Sequence, residues 1–144
     1  MGVVKSEILS RLVEETPLLH NEGLGREELK NYSLSVAVLE WIYDNLNDGS
    51  VTVETGCGYS TIVFALRSQR HLVVSPAESE HGRILEWMQR NRVKTSGIEF
   101  FPQPSQRALP EITGNNRLEK AVDMVLIDGE HAFPSPFIDW YYLA

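Results

Sequence analysis

Two short stretches of this 144-residue sequence hold side chains whose chemistry goes beyond packing. In "VETGCGYST", Glu54 precedes a turn built on Gly56 and Gly58, and Ser60 and Thr61 follow it. In "LIDGEHAF", Asp128, Glu130 and His131 stand almost side by side. Glycines without a Cβ let the chain reverse sharply and let its backbone approach a ligand closely. A helix opening after such a turn presents free N–H groups that favour an anion, and Ser60 or Thr61 could cap it. The strand-end carboxylate of Glu54 suits a ligand carrying a cation or hydroxyl groups rather than phosphate. Asp128 offers the hard oxygen that Mg²⁺ takes, but one carboxylate is not a metal site. His131 brings an imidazole, the side chain whose unperturbed pKa lies near neutrality, and could serve as a general base on a substrate hydroxyl. The competing reading is a plain "DGEH" turn that Gly129 bends and His131 orders.

Three familiar loops can be tested against "TGCGYSTI". A dinucleotide fingerprint needs a third glycine where Thr61 stands. A nucleophile elbow needs a glycine where Ile62 stands, and a phosphate loop needs a lysine that the stretch lacks. Cys57 is the only cysteine and reads as a small buried side chain, since a catalytic thiol needs a paired base and an exposed site. A cysteine hydrolase using Cys57 with His131 and Asp128 is therefore a rival that the missing elbow glycine disfavours.

What remains, E-x-G-x-G-x-S, resembles the class I S-adenosylmethionine-dependent methyltransferases. The resemblance runs from about Ser33 to Ala144 and rests on two motifs. The first is "VETGCGYST". The second, "VDMVLIDGEHAFPSPFIDW", is similar to that family's fourth strand and following loop, Asp-x-x-x-Ile-Asp-Gly-x-His. They come in the required order, with two β-α units between them.

The resemblance implies S-adenosylmethionine as cofactor and methyl transfer to a hydroxyl of a small molecule. It places Glu54 near the amino-acid end of the cofactor and Thr55, Gly56, Cys57 and Gly58 around the turn. Tyr59 and Ser60 would sit at the helix start beside the methionine carboxylate. Asp128, ending a strand beside the first, would face the same cleft and touch cofactor, substrate or metal. Asp128 and His131 are the expected catalytic pair. For the ribose hydroxyls the family uses an acid after the second strand; Glu78 lies at the right distance, with Glu80 behind it. Near the adenine, where an Asp is common, the sequence offers Gln103 and Ser105 instead. A divalent metal such as Mg²⁺ is conceivable in this family, yet no ligand set for one is evident, and none is assigned. The alternative function is a non-catalytic module of the same fold that binds a nucleoside cofactor or serves in oligomerisation.

The elements that must position these residues alternate. "VVKSEILSRLVEETP" has helical spacing and stops at Pro17, and a second helix starts near Ser33 or Ser35 and runs through "VAVLEWIYDNL". "SVTVET" is a strand, "STIVFALRSQ" a helix, "HLVVS" a strand and "ESEHGRILEWMQRNRV" a helix. "IEFFP" is a third strand, "PSQRALPEI" a short helix or turn, "AVDMVLID" a fourth strand, and "SPFIDWYYLA" opens another helix. This order predicts an α/β, Rossmann-like three-layer α/β/α fold with a mostly parallel sheet of about four strands. Two helices precede it. Residues 1–32 are expected to form an N-terminal helical extension and 33–144 the N-terminal part of the cofactor-binding domain. The family's fifth to seventh strands have no counterpart, so the expectation is a truncated domain whose missing half, or a partner, covers the edge at "MVLI".

Composition is that of one globular domain, 42% hydrophobic and 23% charged. The net charge of −7 argues against a nucleic-acid backbone or an anionic membrane as main partner, and "MQRNRVK" reads as the wet end of a helix. A single cysteine fits a reducing compartment, so a cytoplasmic protein is expected. His20, His71 and His81 show no partner in sequence and read as structural or surface residues. The exposed sheet edge suggests pairing between copies of the chain.

Overall fold

The computed structural model describes residues 2–19, 34–115, 118 and 121–144, with side chains from Glu7 onward. The sheet is built outward from β1, Ser50–Thr55, all six of whose residues are buried. β2 (Ser68–Val74) and β4 (Met124–Ile127) flank it, β3 (Ile98–Phe101) pairs beyond β2, and every pairing is parallel. The order is β3-β2-β1-β4. β1, β2 and β3 thus proceed one way across the sheet while β4 lies on the other side of β1.

Six helices are described: α1 (Gly2–Glu15), α2 (Val36–Asp44), α3 (Tyr59–Arg67), α4 (Glu78–Arg90), α5 (Ser105–Gly114) and α6 (Ser135–Leu143). They divide between the sheet faces by the two-residue period of the strands. Val53, Leu72 and Val74 pack with Ala108, Leu109 and Ile112 of α5 and with Tyr142 and Leu143 of α6. Strand residues of the opposite parity, Phe100, Met124 and Leu126, join a larger core drawn from α1 to α4, including Leu12, Leu39, Phe64 and Trp87. The expected Rossmann-like three-layer α/β/α fold is what the chain adopts.

Local boundaries differ from the sequence pattern in one informative place. The helix expected to reach Gln69 stops at Arg67, and β2 begins at once with Ser68. Ser68 is already extended, at φ −108° and ψ 145°, and pairs with Ser50. The Arg67 guanidinium ties the helix end to the carbonyl of Tyr43 at 3.0 Å. Pairing with β1 therefore outweighs the helical pattern of "RSQ". α5 is a ten-residue helix despite Pro110 inside it, a residue that gives up one intrahelical N–H bond. Ser35 caps α2 through the Val38 N–H at 3.4 Å. Ser33, His20 and the division between 1–32 and 33–144 lie outside the described residues. No helix among the described residues is long and apolar enough to cross a membrane.

Candidate functional site

The carboxyl ends of the four strands converge, and the loops leaving them carry the residues singled out above. In open α/β sheets ligands bind at this edge, where the strand order reverses. Here the reversal lies between β1 and β4, so the glycine turn and the Asp128 loop stand on its two sides. Their contact explains one glycine. Gly56 has φ +86°, and a Cβ there would run into the carbonyl of Asp128. The Asp128 N–H in turn donates to the Thr55 carbonyl at 3.0 Å. Gly129 packs against the Thr55 side chain, whose hydroxyl is buried without a hydrogen-bond partner. At the other end of β4, Asp123 accepts the Val51 N–H at 2.7 Å, which gives the first acid of the second motif a purely architectural use.

Glu54 takes a part that the sequence reading did not anticipate. Its carboxylate is fully buried and bonded within the fold. One oxygen accepts from the Ser60 hydroxyl at 2.6 Å; the other accepts from Thr61 and lies 3.1 Å from His71 Nε2. Thr61 also accepts the Gly58 N–H at 3.0 Å, closing the turn. What Glu54 does directly in the fold is hold the first turn of α3 against β1. Ser60 likewise spends its hydroxyl on Glu54, which leaves its backbone N–H at the helix start.

The network continues under the sheet. His71 pairs alongside Thr52 in the β1–β2 register, stacks on Phe64 at 4.6 Å, and places Nδ1 2.8 Å from the Thr52 hydroxyl. Thr52 in turn lies 2.9 Å from the Ser68 hydroxyl. Of the two readings left open for His71, structural or surface, the fold takes the structural one, and it supplies the partners that the sequence does not show. A signal was present: a glutamate on a strand buried on both faces needs donors, and the adjacent strand must supply one.

Two of the candidate positions change weight in the structure. Glu78 opens α4 and is exposed, whereas Glu80 is buried and accepts from the Cys57 thiol at 3.4 Å. Glu80, not Glu78, is the acid that the fold brings against the glycine turn. Cys57 also reaches the Ser75 hydroxyl at 3.5 Å, and burial raises its thiol pKa far above the usual range, with the charges of Glu54 and Glu80 adding to the rise. The geometry does not support the rival of a cysteine hydrolase, because burial disfavours the thiolate and the thiol's hydrogen-bond partners are Ser75 and Glu80, not His131.

On the β4 side, His131 Nε2 lies 3.2 Å from Asp128 Oδ1, with most of the imidazole in solvent. Glu130 accepts from the Ser135 hydroxyl at 2.6 Å, and Gln106 donates to the same hydroxyl at 2.8 Å. Gln106, next to Ser105 at the start of α5, thereby ties the β3 loop to the β4 loop. Tyr59 opens α3 and donates its hydroxyl to the Pro17 carbonyl at 3.0 Å, bringing the N-terminal segment to the same edge. Burial raises the Tyr59 pKa, so the phenol stays a donor. Among the described residues no three His, Cys, Asp or Glu side chains are grouped as a metal ion would require.

Comparison with models of protein families and with curated proteins gives no match. Among solved structures the chain is similar to an rRNA methylase from Streptococcus thermophilus, at 11% identity and a TM-score of 0.57. The match covers 74% of this chain and 60% of that one. At this identity the likeness establishes the fold alone: a Rossmann-like α/β fold of the kind a methyltransferase uses.

Proposed function

We propose that the switch point between β1 and β4 binds S-adenosylmethionine and that the domain transfers its methyl group to a hydroxyl of a small molecule. The observation that carries this reading is the glycine turn itself, set on one side of the strand-order reversal with Asp128 and His131 on the other. The residues present fit such a ligand. The Thr55 hydroxyl is buried without a partner, Gly56 keeps the turn free of a side chain, and the N–H groups of Tyr59 and Ser60 open α3 where a carboxylate is favoured. Thr55 to Gly58 would line the cofactor, Glu80 would stand nearer its ribose than Glu78, and Ser105 would lie toward its base. Bound there, the cofactor would supply an electrophilic methyl on a sulfonium.

The chain's own part is to orient the acceptor and take its proton. With Nε2–H donated to Asp128, the imidazole of His131 keeps Nδ1 as the free base, and Asp128 steadies the charge that forms. The structural neighbour is described as an rRNA methylase, but the net charge of −7 supports a small acceptor instead. Titration with S-adenosylhomocysteine, followed by the amide resonances of Gly56 to Ser60, Asp128 and Gly129, tests the cofactor. Saturable shifts at these residues, not seen with NAD, are expected; their absence would overturn the reading. Asp128→Asn and His131→Ala should then lower methyl transfer at least tenfold while leaving S-adenosylhomocysteine affinity within a factor of about three.

A second reading, a non-catalytic module used in assembly, draws on one observation. Phe133, Phe137, Trp140 and Tyr141, on α6 and its approach, are between 65% and 82% exposed. Grouped exposed aromatics of this kind mark interaction surfaces.

A further inference from the structure

We propose a second binding site, at the end of the sheet opposite the glycine turn, for the phosphate of a small organic phosphate. A groove of about 1050 Å³ opens there between α1, the end of α4 and the start of β2. In a chain of net charge −7 it gathers four cations, Arg11, Arg90, Arg92 and Lys94, against two carboxylates, Glu7 and Asp48. Glu7 holds Arg11 Nη2 at 3.3 Å within the groove, so Arg11 is already paired, while Asp48 lies 3.8 Å from Arg67, outside the groove lining. Arg90, Arg92 and Lys94 have no ion pair or side-chain hydrogen bond among the described residues.

Basic residues near a helix C-terminus often need no ligand, because they complement the helix dipole. That explanation covers Arg90 in the last turn of α4 but not the two residues beyond it. Arg92 stands at φ +58°, the left-handed position after a helix end that glycine normally fills, while the Val93 N–H reaches back to the Met88 carbonyl at 2.8 Å. A plain helix stop would take glycine without strain. Holding an arginine there keeps a guanidinium at the groove at a conformational cost, the pattern found where strain serves a site. The base of this loop is rigid: Asn91 is buried, donates to the Trp87 carbonyl at 2.9 Å and accepts Arg11 Nη1 at 3.0 Å.

The remaining wall fits the rest of the ligand. Ile8, Leu66 and Val93 supply an apolar side for an organic body. The volume is that of a small-molecule cleft, and concavity with overall negative charge favours a small phosphate over a nucleic-acid backbone, which needs an extended basic stripe. This site stands apart from the cofactor reading, and a chain that ignored S-adenosylhomocysteine would test it equally well.

The test titrates the whole chain with inorganic pyrophosphate, adenosine diphosphate and adenosine at constant ionic strength, following the amides of Asn91 to Lys94. Saturable shifts with the diphosphate, weaker ones with pyrophosphate and none with adenosine are expected. Affinity should fall at least tenfold in Arg92→Gly, which relieves the backbone strain and should fold at least as well, and in the double variant Arg90→Gln/Lys94→Gln. Added S-adenosylhomocysteine should leave it unchanged. No saturable binding of either phosphate, or affinity unaltered in both variants, would overturn the proposal. So would a short RNA duplex that binds through these residues when the diphosphate does not.

Discussion

At the scale of single residues, the glycine turn is explained by backbone geometry before any ligand is invoked. Gly56 combines φ +86° with contact against the Asp128 carbonyl, so any side chain there is both strained and blocked. Gly56→Ala should cost roughly 3 kcal/mol or more of stability, seen as a lowered urea midpoint. A fall in ligand affinity in such a variant would therefore say little about the ligand. A loss under about 1 kcal/mol would show that the β4 loop yields easily. His81 offers a different test. It is buried, stacks on Phe100 at 4.4 Å and leaves Nε2 without a partner. Burial lowers its pKa below the ordinary 6.5, outweighing the nearby charges of Glu80 and Glu78, which act to raise it. A depressed folded-state pKa means that the unfolded chain binds the proton more readily below 6.5. Stability from the neutral imidazole is then complete above that pH and is lost as the pH falls toward the folded-state value. His81→Leu should lose less unfolding free energy than the unsubstituted chain between about pH 7 and pH 5. Equal slopes would show that other groups control the acid limb.

At the scale of elements, alternating patterns were enough to recover the strands, the helices after β1 and β2, and the glycine turn between β1 and α3. Asp128 at the end of a strand beside the first also followed from the motif it belongs to. What was not legible depends on register. Whether Ser68 ends a helix or begins a strand is decided by its pairing with Ser50, which no local window contains. Which of Glu78 and Glu80 meets the turn depends on the start of α4, and His71 acquires its meaning only once it lies next to β1. The same holds for α1, read from sequence as part of an extension. Leu12 is fully buried in the larger core, the Trp87 indole donates to Glu15 at 2.8 Å, and Arg83 donates to the Leu19 carbonyl at 3.1 Å. Leu12→Ala should therefore cost about 2–5 kcal/mol, in a single cooperative transition. If residues 1–32 instead form a detachable unit, the main urea transition will not move, and a separate early one will appear.

At the scale of the whole molecule, helices cover both faces of the sheet, and among the described residues β3 and β4 are its two outer strands. Beside β4, α6 turns Phe137, Trp140 and Tyr141 to solvent, and Phe133 on its approach joins them. Phe133 and Phe137 meet edge to face at 5.7 Å, so part of the patch is already ordered as a surface. An edge strand with free backbone groups next to an apolar helix is a template for pairing. A second copy offers the same edge and the same patch, and a two-fold contact is self-complementary by construction. The chain should therefore sediment as a dimer at micromolar concentration, and Phe137→Lys with Trp140→Lys should return it to a monomer without lowering its thermal midpoint. A monomer that keeps this patch exposed would count against pairing between copies. It would also remove the observation that favours an assembly role, leaving the reading built on the glycine turn and Asp128 as the better account of the domain.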